Sequence, residues 1–368
     1  MSAVLIIVSV LLLLLLVLGY GMLRFSCGKC KKEDFFDPAV LEKNTPYKKE
    51  QTLENRDWFL SQTRREIVSV TSFDGLRLVG HWVPWTGPDE ACRNAVPEGC
   101  FYEGAGRAGA AEIGSAARAS SATGAEADAA KGTVICFHGW KGSWKSNYAC
   151  YLKFFNGLGY NVLAVEERAQ NNSEGRYMTF GVRERKDLAQ WVRFVAEKTA
   201  SADAPQGLPI FLHGISMGSA TVQMASSSEL SGCVKGIIAD CGYTSPYAIM
   251  QNIMESANRR LAEKKSLLRI PVGFSLWLLN IFAQAFAGFG LLEWSAPQAL
   301  AESRYPLLFV HGTGDTFVPH SMSEENYAAC TAEKELLLIP DAPHTQCWFR
   351  DHDRVAAAEA AFLKKYNR

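Results

Sequence analysis

The sequence predicts an α/β fold, in which a mostly parallel β-sheet is covered by helices on both faces. Three observations lead there. Beyond residue 132, short apolar runs alternate with longer segments of helical periodicity. Ahead of them, two alternating runs flank an Asp-Gly turn, and 48% hydrophobic content over 368 residues is ample for a sizeable core.

The first element lies outside that sheet. "AVLIIVSVLLLLLLVLGYGML", from Ala3 to Leu23, is uncharged, and at about 1.5 Å per residue its helical length is close to the ~30 Å core of a bilayer. Nothing basic precedes it and "RFSC" follows, a poor cleavage site, so residues 1–24 read as an uncleaved single-pass membrane anchor rather than a signal sequence. The basic flank, Arg24, Lys29, Lys31 and Lys32, is on the C-terminal side, which puts the remainder in the cytoplasm. Residues 25–65 form a polar, helical juxtamembrane connector.

The folded domain spans residues 66–368. It opens on "EIVSVTSFDGLRLVGHWVPW", a β-hairpin about Asp74-Gly75. In residues 103–132 Ala, Gly and Ser dominate, which marks a flexible surface insertion. Strands then follow in "TVICFHG", "NVLAVEE", "PIFLHGI", "VKGIIADCG", "YPLLFVHG" and "KELLLIP". The helices between them lie near residues 147–158, through "RERKDLAQWVRFVAEK", from about Gly218 and from about Asp353. Residues 246–297 break the alternation. Their apolar stretch is interrupted by Pro271, Asn280, Gln284 and several glycines, so they read as a helical cap rather than a second span, with Phe274, Trp277 and Phe282 as core packing.

Composition excludes some partners. Lysine plus arginine (38) balances aspartate plus glutamate (38), which leaves no global basic field for nucleic acid. Ten cysteines without repeated close pairs fit reduced core thiols, and "CGKC" at Cys27 to Cys30 fits a juxtamembrane loop where a cysteine takes a lipid.

The chemistry centres on "GISMG", Gly214 to Gly218, directly after a buried strand. A Ser at a tight strand-to-helix turn is forced out of the carboxyl edge of the sheet, and the helix behind it aims free N–H groups at developing negative charge. Chance supplies this pattern in roughly one random chain in ten, so its partners decide. A Ser hydroxyl needs a base to become a nucleophile, and an imidazole oriented by a carboxylate serves. "YPLLFVHGTGDTFVP" delivers Asp315 past one strand, and "KELLLIPDAPH" delivers His344 past the next. In "ICFHGWKGS", Gly139 lets the chain turn so that the N–H of Trp140 can join that of Met217 around an oxyanion, with His138 bracing the loop. Asp240 is the rival for the acid; His320 and His352 are rivals for the base. His81, His213 and His311 read as structural histidines and Asp341 as a turn former.

With "HGW", "GISMGS", "HGTGD" and "APH" in this order, the chain from about Glu66 onward resembles an α/β-hydrolase-fold serine hydrolase of the membrane-anchored, esterase/lipase-like or serine aminopeptidase-like group. The resemblance implies an eight-stranded, mostly parallel sheet with a cap after the sixth strand. It also implies a Ser216-His344-Asp315 triad with no metal or organic cofactor. One departure is Asn171 in "RAQNNSEG", where such enzymes often carry Gly; Asn tolerates left-handed backbone angles. The expected activity is cleavage of an acyl ester or thioester, on a small-molecule or lipid-like substrate. A peptidase, an acyltransferase and a non-catalytic membrane-tethered binding module are the alternatives, and the oligomeric state is left open.

Overall fold

The computed structural model describes residues 2–29, 34–87 and 129–367. Most of the insertion expected at 103–132 lies outside these residues, as do Cys30, Lys31, Lys32, Cys92 and Cys100.

The hairpin forms as β1 (Glu66–Thr71) and β2 (Arg77–Val83), turning through Gly75 at φ +90°. Six strands follow: β3 (Gly132–Phe137), β4 (Tyr160–Glu166), β5 (Ile210–Ile215), β6 (Val234–Asp240), β7 (Leu307–Gly312) and β8 (Lys334–Ile339). Together they make one eight-stranded sheet in the order β1-β2-β4-β3-β5-β6-β7-β8. β2 pairs antiparallel with both β1 and β4 at one edge, while the run β4-β3-β5-β6-β7-β8 is parallel throughout. Period-2 alternation feeds two cores: Ile135, Leu163 and Leu212 point to one face, and Val134, Val162 and Phe211 to the other. Strands buried on both faces explain the near-continuous apolar runs.

The loop after β4 is tied to the hairpin. Arg168 is buried and donates to both carboxylate oxygens of Asp187 at 2.6 and 2.7 Å, and to both of Asp74 at 3.0 Å. Asn171 adopts φ +48°, so the left-handed turn survives without Gly.

Two expectations are corrected and one is extended. The connector is helical and also packs on the domain: helix Lys49–Ser61 sets Phe59 against Trp144 and lies along the helix Ala149–Gly157, and burying the Phe59 ring alone is worth about 1.5–3 kcal/mol. Cys27 is not in a loop; it is the last residue of helix Ser2–Cys27 and is wholly buried in the core with Leu23, so its thiol cannot take a lipid. The seven cysteines described are all free and buried. Finally, of the three cap aromatics expected in the core, Phe282 is packed inside, whereas Phe274 and Trp277 face solvent.

The cap itself leaves the sheet between β6 and β7. It consists of helices Pro246–Glu263 and Val272–Phe282, the latter running into a π-helical turn at Ala283–Ala287. At the other end of the chain, Val4–Cys27 is long and apolar enough to cross a membrane, and its last turns pack along the Val272–Phe282 helix.

Candidate active site

The loops after β3, β5, β7 and β8 leave the carboxyl edge of the parallel sheet close together, because β3-β5-β6-β7-β8 is a run of neighbours. Ser216 stands between β5 and helix Met217–Met224 at φ +57° and ψ −112°, a conformation that costs a non-glycine residue about 1–3 kcal/mol. Its N–H donates to the carbonyl of Asp240 at 2.9 Å, which pins the turn to the end of β6. The flanking glycines have a steric reason. A methyl group on Gly218 would overlap the carbonyl of Phe137, and one on Gly214 would overlap that of Gly218.

The histidine and the acid arrive from the next two strands. Ser216 Oγ is 3.0 Å from His344 Nε2, and His344 Nδ1 is 2.6 Å from Asp315 Oδ2. Asp315 is held from two further directions. Its Oδ1 accepts the N–H groups of Phe317 and Val318 at 2.9 Å, and Oδ2 also meets His311 Nε2 at 3.2 Å. Burial by itself would raise this carboxyl, but the hydrogen bonds from His311 and His344 outweigh it and bring its pKa down to about 2. The carboxylate therefore stays charged.

Beside Ser216, a methyl group on Gly139 would lie 3.3 Å from Ser216 Cβ, so the backbone after β3 passes directly over the serine. The Gly139 N–H donates to Asn147 Oδ1 at 3.0 Å, and His138 closes the loop from within, its Nδ1 on the Gly139 carbonyl at 2.9 Å. Burial lowers the His138 pKa to about 4, so the ring is neutral. Among the described residues, the N–H groups of Trp140 and Met217 donate to no acceptor. The Trp140 ring stacks on Phe317, whose own ring lies 4.9 Å from His344.

The rivals stand elsewhere. Asp240 is fully buried, with Oδ1 unpaired, and burial raises its pKa to about 6. His320 caps the helix Ser321–Ala329, and His352 packs edge-on against Trp348. His81 pairs with Glu166, and His213 sits between the Tyr148 hydroxyl and Glu359. Asp341 is a turn residue at φ +53°. Two residues go beyond the sequence reading: His311, which contacts Asp315, and Asn147, which holds Gly139. The spacing of His311 four residues before Asp315 in "HGTGD" was the available signal for the first.

Cys241, Asp315 and His344 bring donor atoms within 4.8 Å of one another. Asp315 and His344 are turned toward each other, and burial pushes the Cys241 thiol well above its ordinary pKa. The set suits proton relay better than metal ligation.

The model of the alpha/beta hydrolase family matches residues 134–358, more than half of the chain and all of the loops just described. The chain belongs to the alpha/beta hydrolase family. Among curated relatives of this hydrolase, the uncharacterized protein YqkD of Bacillus subtilis (strain 168) is 27% identical over 59% of the chain. The uncharacterized protein YfhR of Escherichia coli (strain K12) is 26% identical over 62% of it. The chain spans 66% of the first relative, just under two thirds, and 68% of the second. Among solved structures, the esterase Pf2001 of Pyrococcus furiosus superposes with a TM-score of 0.53 at 21% identity, covering 83% of this chain and 94% of that one. A puromycin-hydrolyzing peptidase of Mycobacterium tuberculosis gives 0.54 at 15% identity, over 82% of this chain and 39% of its own. At these identities the likeness is one of fold.

Proposed function

We propose that this hydrolase is a membrane-anchored serine hydrolase that cleaves an acyl ester or thioester on a hydrophobic substrate. The observation that carries the reading is the run of contacts from Ser216 Oγ through the His344 imidazole to Asp315, at 3.0 and 2.6 Å. His344 takes the Ser216 proton as Oγ attacks the carbonyl carbon, and Asp315 stabilises the resulting imidazolium. The Met217 and Trp140 N–H groups receive the oxyanion, each such donor being worth about 10²–10³ in kcat. His344 then passes the proton to the departing alcohol or thiol, and a water deprotonated by the same imidazole releases the acid from the acyl-serine. No metal or organic cofactor enters these steps.

The anchor supports the hydrophobic substrate class. Burial of Leu23 and Cys27 in the core favours a helix that stays attached over a signal sequence that is removed, and the basic flank from Arg24 favours a cytoplasmic catalytic domain.

A fluorophosphonate probe tests the reaction. The Ser216 peptide should carry the phosphonyl group, and Ser216→Ala should lose both label and turnover. A folded protein left unmodified beside a reacting serine hydrolase would refute the proposal. Screening p-nitrophenyl esters of increasing acyl length against thioesters and aminoacyl amides then distinguishes esterase from peptidase.

A further inference from the structure

We infer that the cap rests on the lipid surface entered by the N-terminal helix, so that the site opens at an anionic bilayer; this rests on the anchor reading above. Three independent features point there.

The first is where the lipid-length exposure stops. Side chains from Val4 to Leu18 are exposed, whereas from Gly19 one side of the helix, at Gly19, Leu23, Ser26 and Cys27, is against protein. The exposed stretch rises about 22 Å, most of the ~30 Å hydrocarbon core, so its end at Gly19 lies close to the bilayer boundary and the residues after it carry the cap to that surface. Gly19 lies against the Phe282 ring, and Tyr20 meets Phe286 edge-on at 5.8 Å.

The second feature is the outer face of the cap helix. A helix on a soluble surface shows polar side chains outward. Here Phe274, Trp277 and Ile281, spaced three and four apart on one stripe, are exposed, Trp277 by 56%. Phe286 extends the stripe to the N-terminal helix, stacking on Phe282 at 5.6 Å. The apolar face is thus continuous with the membrane segment, and Trp is the residue suited to the headgroup level.

The third is the loop between the two cap helices. Leu267 and Leu268 project into solvent, Leu267 by 98%, in the segment "RRLAEKKSLLRIP" from Arg259 to Pro271. Five bases and one acid, Glu263, occupy that segment. Paired leucines within a basic rim match an acyl layer beneath anionic headgroups. The site is close by, because the Trp140 indole N–H donates to the carbonyl of Ser26 in the last turn of the same N-terminal helix.

The test uses the full chain in nanodiscs of phosphatidylcholine and phosphatidylglycerol, with a genetically encoded environment-sensitive fluorophore at Leu11, Leu267, Trp277 or Glu302, and unfolding curves to verify each fold. Brominated acyl chains should quench positions 11, 267 and 277 and leave 302, at the amino edge of the sheet, unchanged. Quenching at 11 alone would overturn the cap docking and leave the anchor standing. Absence of quenching at 11 would remove the anchor reading itself, and the docking with it. Shielding of 267 and 277 that grows with protein concentration and ignores bromolipid would assign the face to a second copy and overturn the lipid assignment. Replacing phosphatidylglycerol by phosphatidylcholine should weaken quenching at 267; no change would overturn the anionic preference.

Discussion

The indole N–H of Trp140 donates to the carbonyl oxygen of Ser26 at 2.8 Å. The residue whose backbone passes beside Ser216 is thereby tied to the last turn of the N-terminal helix, and the Lys141 ammonium adds a second tie to the carbonyl of Phe25. The loop beside Ser216 and the N-terminal helix are coupled mechanically.

That coupling gives the first prediction. Trp140→Phe keeps the ring between Phe180 and Phe317 but removes the donor. Losing one such bond is worth about 1 kcal/mol, so kcat on a soluble short-chain ester should fall roughly fivefold with KM little changed. Steady-state kinetics in detergent check it. An unchanged kcat would show that the loop needs no brace from the helix.

The two candidate acids should behave oppositely. Asp315→Asn should lower kcat by about 10⁴, because the amide cannot hold the His344 tautomer or its positive charge. Asp240→Asn should leave kcat within about threefold, since the Asp240 side chain makes no hydrogen bond to His344. Parallel kinetics of the two variants decide the assignment.

Asp240 also makes a pH prediction. Burial raises its pKa in the folded protein to about 6, above the ~3.9 of an unfolded chain, so the folded state holds the proton longer. The associated stability is complete below pH ~4 and is lost as pH rises through about 6, a span worth on the order of 3 kcal/mol. Unfolding curves from pH 4 to 8 should show the parent losing stability relative to Asp240→Asn. Asp315 has the opposite sign: with a folded pKa of about 2, its contribution is present above pH ~4 and fades as pH falls through 2.

His311 is a positioning residue, acting through Asp315. Removing it with His311→Phe takes away one of the bonds that lower the Asp315 pKa, so kcat should fall about tenfold and the acid limb of the kcat profile should move to higher pH. His311→Gln, which can still donate to Oδ2, should restore most of the rate. A purely structural role would lower stability in both variants without moving the pH profile.

Ser216→Gly tests the strain. Glycine adopts φ +57° without the side-chain clash, so unfolding should shift upward by about 1 kcal/mol while turnover is lost. Ser216→Ala should lose turnover without that gain.

Much of the site was legible because strand ends carry signatures. Gly214 and Gly218 announce a turn that excludes side chains on either side of Ser216, while Asp315 follows the buried strand β7 and His344 the half-buried edge strand β8, each legible as an apolar run. His311 was read as structural because a histidine inside a strand is usually buried and satisfied; what singles it out is the fold of the Gly312-Thr313-Gly314 loop, which returns Asp315 to it. The cap aromatics misled for a related reason. Periodicity shows that Phe274, Trp277 and Phe282 belong to a helix, but not which side of that helix meets protein.

By itself the sequence determined the alternation of strands and helices, the apolar N-terminal segment and the chemical types at each strand end, since these depend on local periodicity and turn chemistry. Only the tertiary structure decided that the N-terminal helix ends against Trp140, that the connector packs on the domain, and that the outer cap face is apolar. The first two are contacts between segments far apart in the chain, as in Ser26 with Trp140, and the third depends on which side of the helix the rest of the fold covers; no local pattern encodes either.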